Sequence, residues 1–167
     1  MNLDNYTNTT DLILPHEFEV EITYDGEWKF DKMHGKGKFS DSRGSFYEGK
    51  FTKGDWNGQG KLYALDGSLY EGGWIKFKRS YKGKQIYQDK SCYDGQWKDN
   101  LRHGKGTFTS FGDISTYEGE WRNDKMNGMG RLTYQDGSTS FNLWKDDVMQ
   151  GVKFEKASKI RNMKRVI

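Results

Sequence analysis

Five times along the chain the same short word returns: YDGEW at 24–28, YEGKF at 47–51, YEGGW at 70–74, YDGQW at 93–97 and YEGEW at 117–121. The leading tyrosines stand 23, 23, 23 and 24 residues apart, and a fixed period of this length marks a repeat architecture rather than an ordinary globular core. A second element follows at constant offset: HGKGKF from His34, NGQGKL from Asn57, HGKGTF from His103 and NGMGRL from Asn127. The block that begins at Tyr70 keeps the spacing but carries Tyr81 where the first glycine belongs, retaining only Gly83. A sixth block is marked only by Trp144 and Gly151, separated as Trp28 is from Gly35.

Each copy reads as a β-hairpin. In Tyr24-Asp25-Gly26-Glu27-Trp28, alternation places Tyr, Gly and Trp on one face and both carboxylates on the other. In Gly35-Lys36-Gly37-Lys38-Phe39 it places Gly, Gly and Phe on one face and both lysines on the other. A glycine between rings leaves bare backbone on which an aromatic side chain lies flat. Stacked copies are expected to set Tyr above Tyr and Trp above Trp. RGS at 43–45 and DGS at 66–68 and 136–138 are glycine-centred turns that join one hairpin to the next.

Composition agrees. The 167 residues are only 33% hydrophobic, yet 16% are aromatic and 21 are glycine, a mixture too rich in rings for a disordered tail. No run approaches the roughly 20 apolar residues of a membrane-spanning helix, and the first eighteen residues carry no lysine or arginine, so neither a membrane span nor an import signal is expected. One cysteine, Cys92, forms no internal disulfide and no metal cluster.

This pattern resembles the MORN (membrane occupation and recognition nexus) repeat family, whose consensus is close to YEGEWxxGKxHGxGxxxxxDG, over residues 20–152. The resemblance implies an all-β fold: an elongated single-layer antiparallel sheet of about six stacked β-hairpins. It also implies a scaffold or adaptor in a larger assembly, cytoskeletal, ciliary or axonemal, and a cytoplasmic location. Binding of acidic phospholipid is the alternative that the family suggests.

Three segments are expected: an acidic N-terminal arm at 1–17, the repeat sheet at 18–152, and a basic amphipathic C-terminal helix at 153–167 that either caps the open end of the sheet or meets a partner or membrane. The first strand is expected to run from Phe18 through Trp28. Residues 1–23 hold five acids and no base, a charge of −5, whereas 153–167 hold six bases and one acid, +5, so copies attract end to end or the ends meet different partners.

The ring face is read as a groove for a partner protein segment, lined by Tyr24, Trp28, Phe39, Tyr47, Phe51, Leu62, Tyr70, Trp74, Tyr93, Trp97, Phe108, Tyr117, Trp121 and Leu132. Lys76, Lys78, Arg79, Lys82 and Lys84, without an intervening acid, are read as a basic loop that contacts a partner or an anionic lipid and fixes its register. Substituting the regular loop Asp99–Arg102, mixed in charge, is expected to do little to partner binding. His34 and His103 share a slot with Asn57 and Asn127, so that slot holds a turn residue and not a metal ligand. Neither GxxxxGK[ST] nor GxGxxG occurs, and no nucleophile, base and oxyanion hole assemble. The expectation is a chain without catalysis, cofactor or metal, and without nucleic acid as partner.

Overall fold

The computed structural model describes residues 20–112 and 115–152; the N-terminal arm at 1–17 and the C-terminal helix at 153–167 lie outside the described residues. Twelve strands form one antiparallel sheet in simple meander order. They pair as six hairpins: β1 (Ile22–Lys29) with β2 (Lys32–Asp41), β3 (Phe46–Thr52) with β4 (Asp55–Tyr63), and β5 (Leu69–Ile75) with β6 (Lys78–Ile86). β7 (Cys92–Lys98) and β8 (Leu101–Thr109), β9 (Thr116–Arg122) and β10 (Lys125–Thr133), and β11 (Thr139–Lys145) and β12 (Val148–Val152) complete the set. The degenerate third block is thus a full hairpin. The first strand begins at Ile22, so Val20 and Glu21, expected within it, precede it. At an interstrand spacing of about 4.8 Å, twelve strands extend the sheet about 50 Å across.

Within each repeat a two-residue turn has both residues left-handed, as at Phe30-Asp31 (φ 52° and 56°) and Asp99-Asn100 (φ 50° and 71°). That backbone twist matches the right-handed twist of the flanking strands and keeps the hairpin closed. Between repeats, Gly67 N–H donates to Ala64 O at 2.9 Å and Asp66 Oδ1 accepts from Ser68 N–H at 2.9 Å. The Asp89 and Asp136 turns make the same side-chain bond, to Ser91 and Ser138.

A one-layer sheet has no second layer to bury its rings, so the rings bury one another. Each repeat tyrosine leans along its own strand pair onto two facing glycines. A Cβ on Gly95 would lie 2.5 Å from both the Gly106 Cα and the Tyr93 hydroxyl. That hydroxyl donates to Gln96 O at 2.9 Å, and Tyr24, Tyr47, Tyr70 and Tyr117 likewise donate to the carbonyl three residues on. The tryptophan then reaches back to the preceding repeat: Trp74, Trp97 and Trp121 Nε1 donate to the carbonyls of Gly60, Gly83 and Gly106 at 3.1, 2.9 and 3.0 Å.

The order of the rings differs from the expected stacking of like on like. Tyr and Trp alternate in a zigzag of edge-to-face contacts, Tyr47 to Trp74 at 5.5 Å, Trp74 to Tyr70 at 4.9 Å, Tyr70 to Trp97 at 5.4 Å, Trp97 to Tyr93 at 5.1 Å. The ring quadrupole favours edges on faces over parallel sandwiches, and each such pair adds about 0.5–1.5 kcal/mol beyond burial.

Candidate functional site

The eight ring positions Tyr47, Phe51, Tyr70, Trp74, Tyr93, Trp97, Tyr117 and Trp121 are at most 5% exposed. They form the core, which corrects the reading of these residues as groove lining: a side chain this covered offers a partner no area. Of the other expected members, Tyr24, Phe39, Leu62, Phe108 and Leu132 are partly buried against that core, and only Trp28, in the first repeat, is largely open at 61%. The surface above the rings is instead made by two shoulder rows. One comprises Phe39, Leu62, Gln85, Phe108 and Leu132, each opposite the tyrosine slot of its own hairpin. The other comprises Met33, Trp56, Arg79, Arg102, Met126 and Met149, each opposite the tryptophan or phenylalanine.

This second row joins one repeat to the next. Arg102 lays its guanidinium over Trp121, 4.3 Å from the ring centroid, and pairs with Asp124 at 3.2 Å. Its backbone N–H donates to Asp124 Oδ1 at 2.7 Å while Asp124 N–H donates to Arg102 O at 3.0 Å. Arg79 repeats the arrangement one hairpin earlier, 4.4 Å over Trp97, with its N–H donating to Asn100 Oδ1 at 2.8 Å. Its side chain also bonds Gln85 Oε1 at 2.9 Å and Asn100 O at 3.0 Å, so it spans the two shoulders. Desolvation pushes the Arg79 guanidinium pKa below its ordinary value. The Asp99–Arg102 segment is therefore a joint between neighbouring hairpins. The missed signal lay in the same period: Met33, Trp56, Arg79 and Arg102 are 23 residues apart.

The basic segment also sorts differently from expectation. Only Lys76 and Phe77 form a turn, because β6 begins at Lys78, and strand alternation divides the rest between the faces. Arg79 lies on the ring side. Lys78 pairs with Asp99 at 3.4 Å, Lys82 stands opposite Gln96, and Lys84 lies in register between Glu71 and Asp94. Five like charges in sequence thus become one inward staple and several lysines interspersed with acids. On that charged face, cross-strand pairs follow the expected pattern, Glu71 meeting Lys61 at 3.2 Å and Glu118 bonding Arg131.

Tyr81 is the local exception. In the other regular repeats the bulge slot is glycine, at φ 61° in Gly35, 90° in Gly58, 60° in Gly104 and 68° in Gly128. Tyr81 adopts φ 62° there, which turns its ring to the charged face, 64% exposed. Room exists because the facing position, Glu27, Lys50, Gln96 or Glu120 elsewhere, is Gly73, whose added Cβ would meet Tyr81 Cδ2 at 3.0 Å. Large and small residues have exchanged places across the bulge. The exchange also removes a cap, since Glu27 and Gln96 accept the N–H of Lys36 and Lys105, each at 2.8 Å, and glycine cannot do the same for Lys82.

No helix among the described residues is long and apolar enough to cross a membrane. Among curated proteins no match to the chain is found. The profile of the MORN repeat matches residues 24–46, 47–68, 93–111 and 117–139, just over half of the 167 residues. It passes over the third hairpin, the one that carries the Gly73–Tyr81 exchange. Repeats of this kind are interaction modules for proteins or phospholipids. With the matched word, the glycine pairs under each tyrosine and one hairpin per period all in place, the chain belongs to the MORN repeat family and is a repeat scaffold.

Proposed function

We propose that the chain is a non-catalytic scaffold that holds a partner protein segment across the shoulder rows of its ring-bearing face, as a structural subunit of a cytoskeletal assembly such as a cilium or axoneme. The observation that supports this reading is the pair of half-buried shoulder rows above a core already closed upon itself. Their apolar members recur in every hairpin but the third, where Gln85 and Arg79 stand, and the hairpin spacing of about 9.6 Å matches one three-residue turn of a polyproline II chain. A polyproline II segment laid across the strands would thus meet Leu62, Phe108 and Leu132 with side chains on one of its faces, and the rigid sheet would lose little entropy on binding. The cytoskeletal setting rests on the family resemblance together with the elongated sheet. The lipid alternative has less support among the described residues, because the basic segment is split between two faces.

The test is site-specific photocrosslinking in native extract, with the reactive residue at position 62 on the ring side or at position 61 on the charged side. One protein band crosslinked from 62 and absent from 61 is the expected result. Crosslinks from 61 alone would refute the placement. Flotation with phosphatidylserine vesicles and no crosslink from 62 would replace the scaffold reading by the lipid one.

A further inference from the structure

One joint recurs through the later part of the sheet. In Arg79–Asn100, Arg102–Asp124 and Met126–Asp147 the shoulder residue donates its N–H to the turn side chain of the next hairpin at 2.7–2.8 Å. The turn N–H returns a bond to the shoulder carbonyl at 3.0–3.1 Å. Across the interior repeats the following tryptophan is covered to 5% exposure or less. The first hairpin carries the same parts with no hairpin before them among the described residues. Asp31 holds the turn slot of Asn100, Asp124 and Asp147 in the same left-handed conformation, φ 56°. Trp28 is 61% exposed and Phe30 86%. Among the described residues no strand pairs with the outer side of β1. At the opposite edge, Met149 holds the shoulder slot, is 52% exposed, and has no hairpin after it among the described residues.

We propose that copies of this chain associate head to tail, the Trp28 and Asp31 end of one seated on the Met149 edge of another, so that the sheet continues from copy to copy. In this joint Met149 N–H donates to Asp31 Oδ1 of the neighbour, and Asp31 N–H donates to Met149 O. The flanking segments favour the same polarity, since residues 1–23 carry −5 and residues 153–167 carry +5. Like ends repel. Ser140 occupies the tyrosine slot of the last hairpin, so this joint lacks one ring of the interior zigzag and is weaker and reversible. Because the two surfaces differ, the contact is heterologous and elongates rather than closing at two.

Sedimentation velocity of the full chain from about 1 µM to about 500 µM is expected to show a continuous rise in mass beyond the dimer, reduced by added salt. Trp28→Ala combined with Asp31→Gly, glycine keeping the left-handed turn, should weaken association by at least about tenfold with the folded circular dichroism spectrum retained and the melt lowered only by the lost Trp28–Tyr24 edge contact. That double variant keeps its Met149 edge, so excess variant added to wild type should shorten the assemblies as a chain stopper. A species that stops at the dimer, or a monomer throughout the range, overturns the proposal. So does a chain that assembles only after residues 1–17 or 153–167 are deleted, because its own arm or tail would then fill one side of the joint.

Discussion

Adding one methyl group at Gly95 tests the central packing claim most directly. The new Cβ would lie 2.5 Å from the Gly106 Cα, 2.5 Å from the Tyr93 hydroxyl and 2.7 Å from Tyr93 Cζ. The first neighbour is paired backbone, and the second belongs to a ring with 0% exposure, held by its bond to Gln96 O. Either strand β8 moves away or the ring leaves. Expelling a buried aromatic ring costs about 3–5 kcal/mol, and its hydrogen bond adds about 1 kcal/mol. Alanine in place of glycine in a strand returns at most about 1 kcal/mol. The net for Gly95→Ala is a loss of about 3 kcal/mol, or a melting temperature lower by about 6–12 °C in a chain of this size. Two controls separate space from backbone strain. Gly112 has nothing within 4 Å of its Cβ site, so Gly112→Ala should stay within about 0.5 kcal/mol of the parent. Gly67 also faces open space but sits at φ +80°, so Gly67→Ala should lose about 1 kcal/mol from strain alone. Circular dichroism melts give the ranking, and hydrogen exchange should show the Gly95 variant losing protection first in β7, β8 and the hairpins beside them. Equal melts for Gly95→Ala and Gly112→Ala would refute the claim that tyrosines rest on bare glycine backbone.

Three further outcomes are expected. Tyr81→Gly should melt at or above the parent temperature although it removes an aromatic residue, because it relieves a left-handed tyrosine that buries little, whereas Gly73→Ala should lower the melt because its Cβ would lie 2.5 Å from the Ser80 carbonyl. Asn100→Asp should stabilise by about 0.5–1 kcal/mol in thermal melts at low salt, and by less in high salt, because it gives the half-buried Arg79 guanidinium the carboxylate that Arg102 already has in Asp124. Burial raises the phenol pKa of Tyr47, Tyr70 and Tyr93, and pushes that of Tyr117 up to about 12. In the unfolded chain these groups ionise near pH 10, so the folded state binds more protons above that value, and stability that is intact below pH 10 falls as pH rises towards the folded pKa values. Urea midpoints followed from pH 8 to 11.5 should therefore be level to about pH 10 and then drop, with phenolate absorbance appearing together with unfolding; ionisation of all tyrosines before the loss of structure would contradict the burial.

The amino-acid sequence by itself determined the period, the hairpin, the two faces and the role of the paired glycines, because these follow from spacing and strand alternation, which are local properties of the backbone. Gly95 between Tyr93 and Trp97 could be read as a resting place for a ring without any coordinates. Which ring rests there could not, since an edge-to-face zigzag of Tyr and Trp depends on the distance and twist between neighbouring strands, so like did not stack on like. The same limit explains the misread groove: alternation tells which side a ring faces but not whether its neighbours cover it, and in a one-layer sheet they cover Tyr47 completely. Arg79 and the lysines around it looked alike as a run of charge. Where β6 begins, and the pairing with β7 that brings Asn100 against Arg79, decided that one charge turns inward as a staple while the others remain with water. Tyr81 shows the boundary most sharply, because simple alternation assigns it to the ring face, and only the left-handed backbone of the bulge, with Gly73 vacating the space opposite, carries its side chain to the other side.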